Sequence, residues 1–207
     1  MTGLFVVFEG GDGVGKSTQA ALLADALAAD GREVVRTFEP GDTPAGARIR
    51  QLLLDPSSAP LSPWAEALLY AADKANHIRD VVAPALARGA AVVCDRYIDS
   101  MLAYQGAGRV LDMAQVEQVA RWATGGLLPD LTVLLDLDPA LAVAEIGDKD
   151  RLEAESADFH QRVREHFLAL AARDPGRYLV LPARLPRDEL AAAVAERVSA
   201  ARGRLST

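Results

Sequence analysis

The sequence has little cysteine, few basic residues and no long apolar run. Cys94 is the one cysteine among 207 residues, so no intrachain disulfide can form and we expect a reducing compartment. Acidic residues outnumber basic ones by 29 to 22, and the net charge of −7 argues against nucleic acid or an anionic membrane as an obligatory partner. No stretch approaches the roughly 20 apolar residues of a membrane span, and the N-terminal residues lack the pattern of an export signal. We therefore expect a cytoplasmic protein that binds neither nucleic acid nor membranes.

The chain does contain short apolar runs that alternate with longer helical segments. The runs typical of strands lie at 4–9, 33–38, 90–95, 131–137 and 178–181. Uninterrupted apolar strands predict a sheet covered on both faces, and their alternation with helices predicts parallel pairing through right-handed crossovers. Residues that predict where helices begin, end or kink are Gly31, Ser62 with Glu66, Pro84, Asp112 and Pro139. The sequence therefore predicts an α/β fold that forms one domain over residues 1–207.

A glycine-rich segment directly follows the first predicted strand. Gly10, Gly15, Lys16 and Ser17 meet the pattern G-x-x-x-x-G-K-[ST] of a phosphate-binding loop, between a strand and a helix as that loop requires. Its glycines let successive backbone N–H groups point at a polyphosphate, and the N-terminus of the helix adds its dipole. Lys16 can reach the terminal phosphates and Ser17 can bind Mg²⁺. The segment is predicted to bind a nucleoside triphosphate through Gly10, Gly11, Asp12, Gly13, Val14, Gly15, Lys16, Ser17 and Thr18.

Asp95 and Arg96 end the third predicted strand, at the edge of the sheet where open α/β proteins bind ligands. A carboxylate there can hold Mg²⁺ through water, and a neighbouring arginine can bridge two phosphate groups. A structural ion pair at the strand end is the alternative on position alone. The segment "YIDSMLAYQGAGR" that follows mixes polar, aromatic and glycine residues, which is typical of the lining of a small-molecule pocket.

These features together resemble one known family. The segments "FEGGDGVGKSTQ", "EPGDTPAGARIRQLLLD", "EALLYAADKANH", "CDRYIDSMLAYQGAGR", "PDLTVLLDLDP" and "DRLEAES" are similar, in this order, to the signatures of bacterial thymidylate kinases, up to about Ala172. The resemblance implies the fold of nucleoside monophosphate kinases, a three-layer P-loop fold with a five-stranded parallel sheet flanked by helices on both faces. It further implies a homodimer that transfers the γ-phosphoryl group of ATP to dTMP with Mg²⁺, giving dTDP and ADP.

The resemblance also implies catalytic and metal-binding residues. Lys16, Asp95 and Arg96 would act at the phosphates, and Arg151 would belong to a lid, at about 145–155, that closes over them. Ser17 and Asp95 would hold Mg²⁺, partly through water. No general base is needed, because the acceptor is already a phosphate oxyanion and catalysis consists of alignment and charge neutralisation.

For the acceptor nucleotide, the resemblance implies a pocket with three regions. Arg50 and Arg96 would grip the 5′-phosphate, Asp12 would lie near the sugar and Tyr70 would stack on the thymine ring. The complete set of implied acceptor-binding residues is Asp12, Glu39, Pro40, Arg50, Tyr70, Lys74, Arg96, Met101, Tyr104 and Gln105.

The sequence departs from the family pattern at several of these places. Lys74 stands where relatives have arginine, and Met101 stands where they have a small polar residue that faces the base. Phe38 replaces an arginine, Asp42 replaces a small residue, and the lid offers only Lys149 besides Arg151 among Glu145, Asp148 and Asp150. Three hypotheses therefore stay open at this point: a dTMP kinase, a kinase for a different pyrimidine monophosphate, and a nucleotide-binding protein with weak or no transfer activity.

Overall fold

The computed structural model describes residues 3–57, 60–142 and 150–205. Its five strands, all parallel, form one sheet in the order β2-β3-β1-β4-β5. The strands are β1 Leu4–Gly10, β2 Val34–Phe38, β3 Ala91–Asp95, β4 Leu131–Asp136 and β5 Tyr178–Pro182. The predicted five-stranded parallel sheet is confirmed.

The helices of the described residues connect these strands. They are α1 Lys16–Ala29, α2 Pro44–Leu54, α3 Pro63–His77, α4 Ala83–Ala87, α5 Ile98–Met101, α6 Met113–Ala123, α7 Pro139–Ala142, α8 Ala157–Arg173 and α9 Arg187–Leu205, with π-helical segments Ile78–Val82 and Leu102–Gly108. Ser62 and Asp112 cap α3 and α6, accepting hydrogen bonds from the N–H groups of Ala65 at 3.2 Å and Gln115 at 3.0 Å. The irregularity predicted at Pro84 is the π-helical segment that joins α3 to α4. Across the described ranges, no helix is long and apolar enough to cross a membrane.

The sheet is covered on both faces, as the uninterrupted apolar strands predicted. Successive side chains of a strand point to opposite faces. Leu4, Val6 and Phe8 pack towards α1 and α9, whereas Phe5 and Val7 pack towards α3, α5, α6 and α8. Because β1 lies between β3 and β4, the phosphate-binding loop emerges beside the carboxyl end of β3. This topology brings Arg96 to the loop although 84 positions of chain separate it from Asp12.

Candidate active site

The phosphate-binding loop joins β1 to α1 with the geometry that its pattern predicts. The strand ends at Gly10, which has a φ of 133° and lies so close to β4 that a Cβ would collide with the carbonyl oxygen of Leu135. The helix begins at Lys16, whose ammonium group folds over the loop and donates to the carbonyl of Gly11. Burial lowers the pKa of Lys16, and the nearby Arg96 guanidinium lowers it further, to about 8. The charged form of Lys16 is therefore disfavoured in the loop, and a bound anion would compensate its charge.

Ser17 and Asp95 meet at the mouth of this loop. The Ser17 hydroxyl donates to an Asp95 carboxylate oxygen over 2.5 Å, which links the first turn of α1 to the end of β3. A hydroxyl and a carboxylate are the hard oxygen donors that Mg²⁺ prefers, and Mg²⁺ usually takes its remaining ligands from water and substrate phosphates. The pair therefore fits the implied metal.

Arg96 connects the loop to the rest of the site. Its φ of 70° is unusual for a residue with a side chain, and it turns the guanidinium back over the loop. The guanidinium donates to Asp12 at 2.5 Å, to the carbonyl of Gly10 at 3.0 Å and to the Ser100 hydroxyl at 3.0 Å. The Tyr104 hydroxyl donates to the other Asp12 oxygen at 2.8 Å. Burial would raise the pKa of Asp12, but the charges of Arg96 and Lys16 outweigh it and lower that pKa to about 2.

A buried carboxylate that sequence reasoning missed holds this turn. Glu9, the penultimate residue of β1, accepts hydrogen bonds from the N–H groups of Tyr97 at 2.9 Å and Ser100 at 3.1 Å, and from the Ser100 hydroxyl at 2.6 Å. It thus caps the N-terminus of α5 from a neighbouring strand and orients the hydroxyl that Arg96 contacts. Burial, together with the charge of Asp99, raises the pKa of Glu9. Its position inside an apolar strand was the feature of the sequence from which Glu9 could have been identified.

Two clefts open on either side of Arg96. The first encloses about 640 Å³, and all ten residues implied to bind the acceptor line it, together with Leu54, Ser100, Asp150, Leu152 and Glu153. The second is wider, about 1330 Å³, and Lys16, Ser17 and Asp95 contribute to its lining. Asp12, Glu39, Arg50 and Arg96 line both clefts, so the clefts have the cations Arg50 and Arg96 in common. The site can therefore hold two anionic ligands that share one group of cations.

We call the first cleft the acceptor cleft, because the residues implied to bind the acceptor line it. A buried ionic network lies beside it. The Lys74 ammonium donates to one oxygen of Glu39, and His77 contacts the other at 2.7 Å. The second ring nitrogen of His77 lies 2.6 Å from the Thr37 hydroxyl. Burial alone would raise the pKa of Glu39, but Lys74 and His77 outweigh it and lower that pKa. Lys74 thus neutralises a buried acid while it lines the cleft, and His77 belongs to the same network.

Comparison with known proteins gives a consistent result. A family model described as thymidylate kinase matches residues 8–194. A thymidylate kinase of Cutibacterium acnes is 59% identical over 96% of this chain and 98% of its own length, and that of Clavibacter michiganensis is 55% identical over 97% and 96%. The crystal structure of thymidylate kinase from Ehrlichia chaffeensis, 29% identical, matches with a TM-score of 0.79 and covers 95% of this chain and 98% of that chain. The chain belongs to the thymidylate kinase family.

Membership of the thymidylate kinase family confirms the resemblance indicated by the sequence motifs. The structure shows which contacts two of the residues that depart from the family pattern make. Phe38 does not leave a gap, because its ring lies under the Arg50 guanidinium, 5.8 Å from the ring centroid. Arg50 donates to the carbonyl of Pro40 at 2.7 Å, and Asp42 accepts from Thr37 at 2.5 Å. Both replacements therefore support the segment that shapes the acceptor cleft.

The predicted lid is described only in part, because 145–149, with Glu145, Asp148 and Lys149, lie outside the described residues. Arg151, which the resemblance assigned to this lid, is described. Its guanidinium donates to Glu66 at 2.7 Å and to the carbonyl of Leu53 at 2.7 Å. The sequence associated Glu66 only with the start of a helix, whereas the structure makes it a buried centre of hydrogen bonds from Arg109, Arg151 and Gln105.

Proposed function

We propose that this member of the thymidylate kinase family transfers the γ-phosphoryl group of ATP to the 5′-phosphate of dTMP, with the phosphate-binding loop holding ATP and the 640 Å³ cleft holding dTMP. The observation that carries the proposal is the position of Arg96, which contacts the loop at Gly10 and Asp12 and also lines the acceptor cleft. A cation in this position offsets the repulsion between two nucleotides whose phosphates must meet.

On the donor side, the backbone N–H groups of the loop and the N-terminus of α1 would bind the β- and γ-phosphates. Lys16 would leave the carbonyl of Gly11 for the phosphates, where its charge is better compensated. Ser17 and Asp95 would hold Mg²⁺, which when bound neutralises charge on the transferred group. Because the acceptor phosphate is already an oxyanion, the protein has to align two anions and exclude water rather than remove a proton.

On the acceptor side, Arg50 and Arg96 would bind the 5′-phosphate and Tyr70 would stack on the base. Tyr104, through its contact with Asp12, would border the sugar. Met101 is fully buried and offers no strong hydrogen-bonding group, so polar recognition of the base would depend on Lys74 and Gln105. A lid contribution from Arg151 would require it to leave Glu66 when the nucleotides bind.

Assembly and location are further parts of the proposal. Leu52, Leu68 and Trp122 are 53%, 54% and 84% exposed, and they lie on α2, α3 and α6, where α3 contacts both of the other helices. Such exposed apolar residues on neighbouring helices support burial in a homodimer. We propose a cytoplasmic homodimer in which residues 1–207 form one kinase domain.

An assay of ADP release over a panel of nucleoside monophosphates tests the function. Preference for dTMP is the expected result, which the relatives named thymidylate kinase at 55% and 59% identity support. If another pyrimidine monophosphate were preferred, the enzyme would be a kinase for that nucleotide and not for dTMP. Tight binding of ATP without turnover of any monophosphate would contradict the kinase assignment.

A further inference from the structure

Among the described residues near the acceptor cleft, Glu66 is the carboxylate that accepts the most side-chain hydrogen bonds, yet it does not line that cleft. It is 1% exposed, and both of its carboxylate oxygens accept hydrogen bonds. One oxygen accepts from Gln105 Nε2 at 3.0 Å and Arg109 Nε at 3.0 Å, and the other accepts from Arg109 Nη2 at 2.9 Å and Arg151 Nη2 at 2.7 Å. Burial would raise the pKa of Glu66, but these partners outweigh it and lower the pKa. Glu66 is therefore ionised, and an ionised carboxylate only accepts hydrogen bonds.

The ionised state of Glu66 decides which way the Gln105 amide faces. The end of the amide that meets Glu66 has to be the NH₂ group, because the carbonyl end would repel the carboxylate. Gln105 itself lines the acceptor cleft. Within the part of the chain that the structure describes, no group donates a hydrogen bond to its amide oxygen. This oxygen is also not fully enclosed by protein atoms. The oxygen is thus the part of the amide that a base in the cleft can reach.

We infer that Glu66 is a positioning residue for base selection, which holds the Gln105 amide so that it offers a hydrogen-bond acceptor, and not a donor, to the base of the acceptor nucleotide. The inference rests on the proposed function, in which the base occupies this cleft. Lys74 supplies the complementary group, since an ammonium group only donates. Each of the two polar groups is anchored by its own buried acid, Lys74 by Glu39 and Gln105 by Glu66.

This arrangement matches thymine and mismatches cytosine. Thymine presents an N3–H donor beside its O4 acceptor, which suit the Gln105 oxygen and the Lys74 ammonium. Cytosine presents an N3 acceptor beside a 4-amino donor, so both contacts would oppose like groups. A site built from fixed polar groups rejects an analogue that leaves them unpaired far more strongly than an apolar pocket does. A freely turning amide would lose this discrimination, because either of its ends could face the base.

The test compares kcat/KM for dTMP and dCMP in wild-type protein and in Glu66→Gln. The amide that this substitution introduces can donate as well as accept, so the Gln105 amide is no longer held in one orientation. We expect the dTMP to dCMP ratio to fall by roughly tenfold or more, about the effect of one buried hydrogen bond. Glu155→Gln is the matched control. Glu155 binds Arg109 at 2.5 Å in the same network without contacting Gln105, so its ratio is expected to stay unchanged.

The role of Gln105 itself is isolated by a double-mutant cycle. In a Gln105→Leu background, Glu66→Gln is expected to leave the ratio unchanged. The inference would be overturned if Glu66→Gln lowered kcat/KM equally for dTMP and dCMP. It would also be overturned if the ratio fell equally in Glu155→Gln, or if Glu66→Gln lowered it as much in the Gln105→Leu background. Glu66→Asp keeps the charge that neutralises both arginines and answers the same question if Glu66→Gln does not fold, because the shorter side chain withdraws from Gln105. Wild-type protein that uses dTMP and dCMP equally would also overturn the inference, whereas no turnover of either would contradict the proposed function instead.

Discussion

In the phosphate-binding loop the fold disfavours the charge of Lys16, whereas in the acceptor cleft the fold favours the charges of Glu39 and Glu66. The pKa of Lys16 is lowered because the ammonium is buried beside Arg96, and the carboxylate pKa values are lowered because each acid is surrounded by cations and donors. The donor side is thus poised to bind an anion that the protein does not supply. The acceptor side is a compensated network that also holds the protein together. Substitutions on the two sides should therefore separate catalysis from stability.

The largest effect is expected for Lys16→Ala on the donor side. Loss of the ammonium removes the charge that, in the proposed function, compensates the transferred phosphoryl group, so we expect turnover to fall by roughly a thousandfold or more. Because the buried charge does not stabilise the fold, the melting temperature should stay unchanged or rise. Steady-state kinetics and thermal unfolding measure the two quantities. Turnover near the wild-type value, or a clear drop in melting temperature, would break the comparison.

Lys74→Met on the acceptor side should do the opposite to stability. Met fills a similar volume but leaves Glu39 buried without its main counter-charge, and breaking a buried pair costs about 3–5 kcal/mol of unfolding free energy. The matched control is Arg88→Met, which breaks an ion pair with Glu33 at 3.0 Å in which both side chains are more than half exposed. Pairs of that kind contribute about 0–1 kcal/mol. Urea unfolding that gives the same loss for both variants would contradict the network's role.

The pH dependence of ATP use sharpens the comparison further. The Lys16 pKa is about 8 in the folded protein against an ordinary 10.5, so below pH 8 the amine is protonated and able to attract phosphates. Above pH 8 the folded loop loses this proton, and we expect kcat/KM for ATP to fall about tenfold per pH unit. Bound phosphates keep the amine protonated, so the decline in kcat should begin at higher pH. A decline of ATP affinity at the same pH in Lys16→Ala would assign it to another group.

The same contrast explains how much could be predicted from the sequence. The phosphate-binding loop was predictable because its residues are consecutive and the flanking strand and helix have clear apolar patterns. Glu9 and Glu66 were missed because their partners are distant in the chain; Glu9 and Ser100, for example, are 91 positions apart. The set of acceptor residues followed from the family resemblance, whereas the pairing of Lys74 with Glu39 needed the three-dimensional arrangement of β2 against α3. Glu9 carried one local signal, its place inside an apolar strand, but that signal did not identify its partners. Glu39 and Glu66 carried none, since each acid taken alone suggests a solvated surface charge.

The smallest effect is expected at Phe38, where the sequence departs from the family pattern, and it tests whether this side chain contributes to dTMP binding. Phe38 is 40% exposed and lies under the Arg50 guanidinium, so the contact is a partly solvated cation–π pair worth about 0.5–1 kcal/mol. Phe38→Leu keeps an apolar side chain but removes the ring, so Arg50 should be less well oriented and KM for dTMP should rise about two- to fivefold. KM for ATP is measured alongside, because Phe38 lines the wider cleft together with Lys16 and Ser17, whereas its ring contacts Arg50, which lines both clefts. An equal rise in both values would mean that Phe38 supports the two sides alike, and the division between them would not extend to β2.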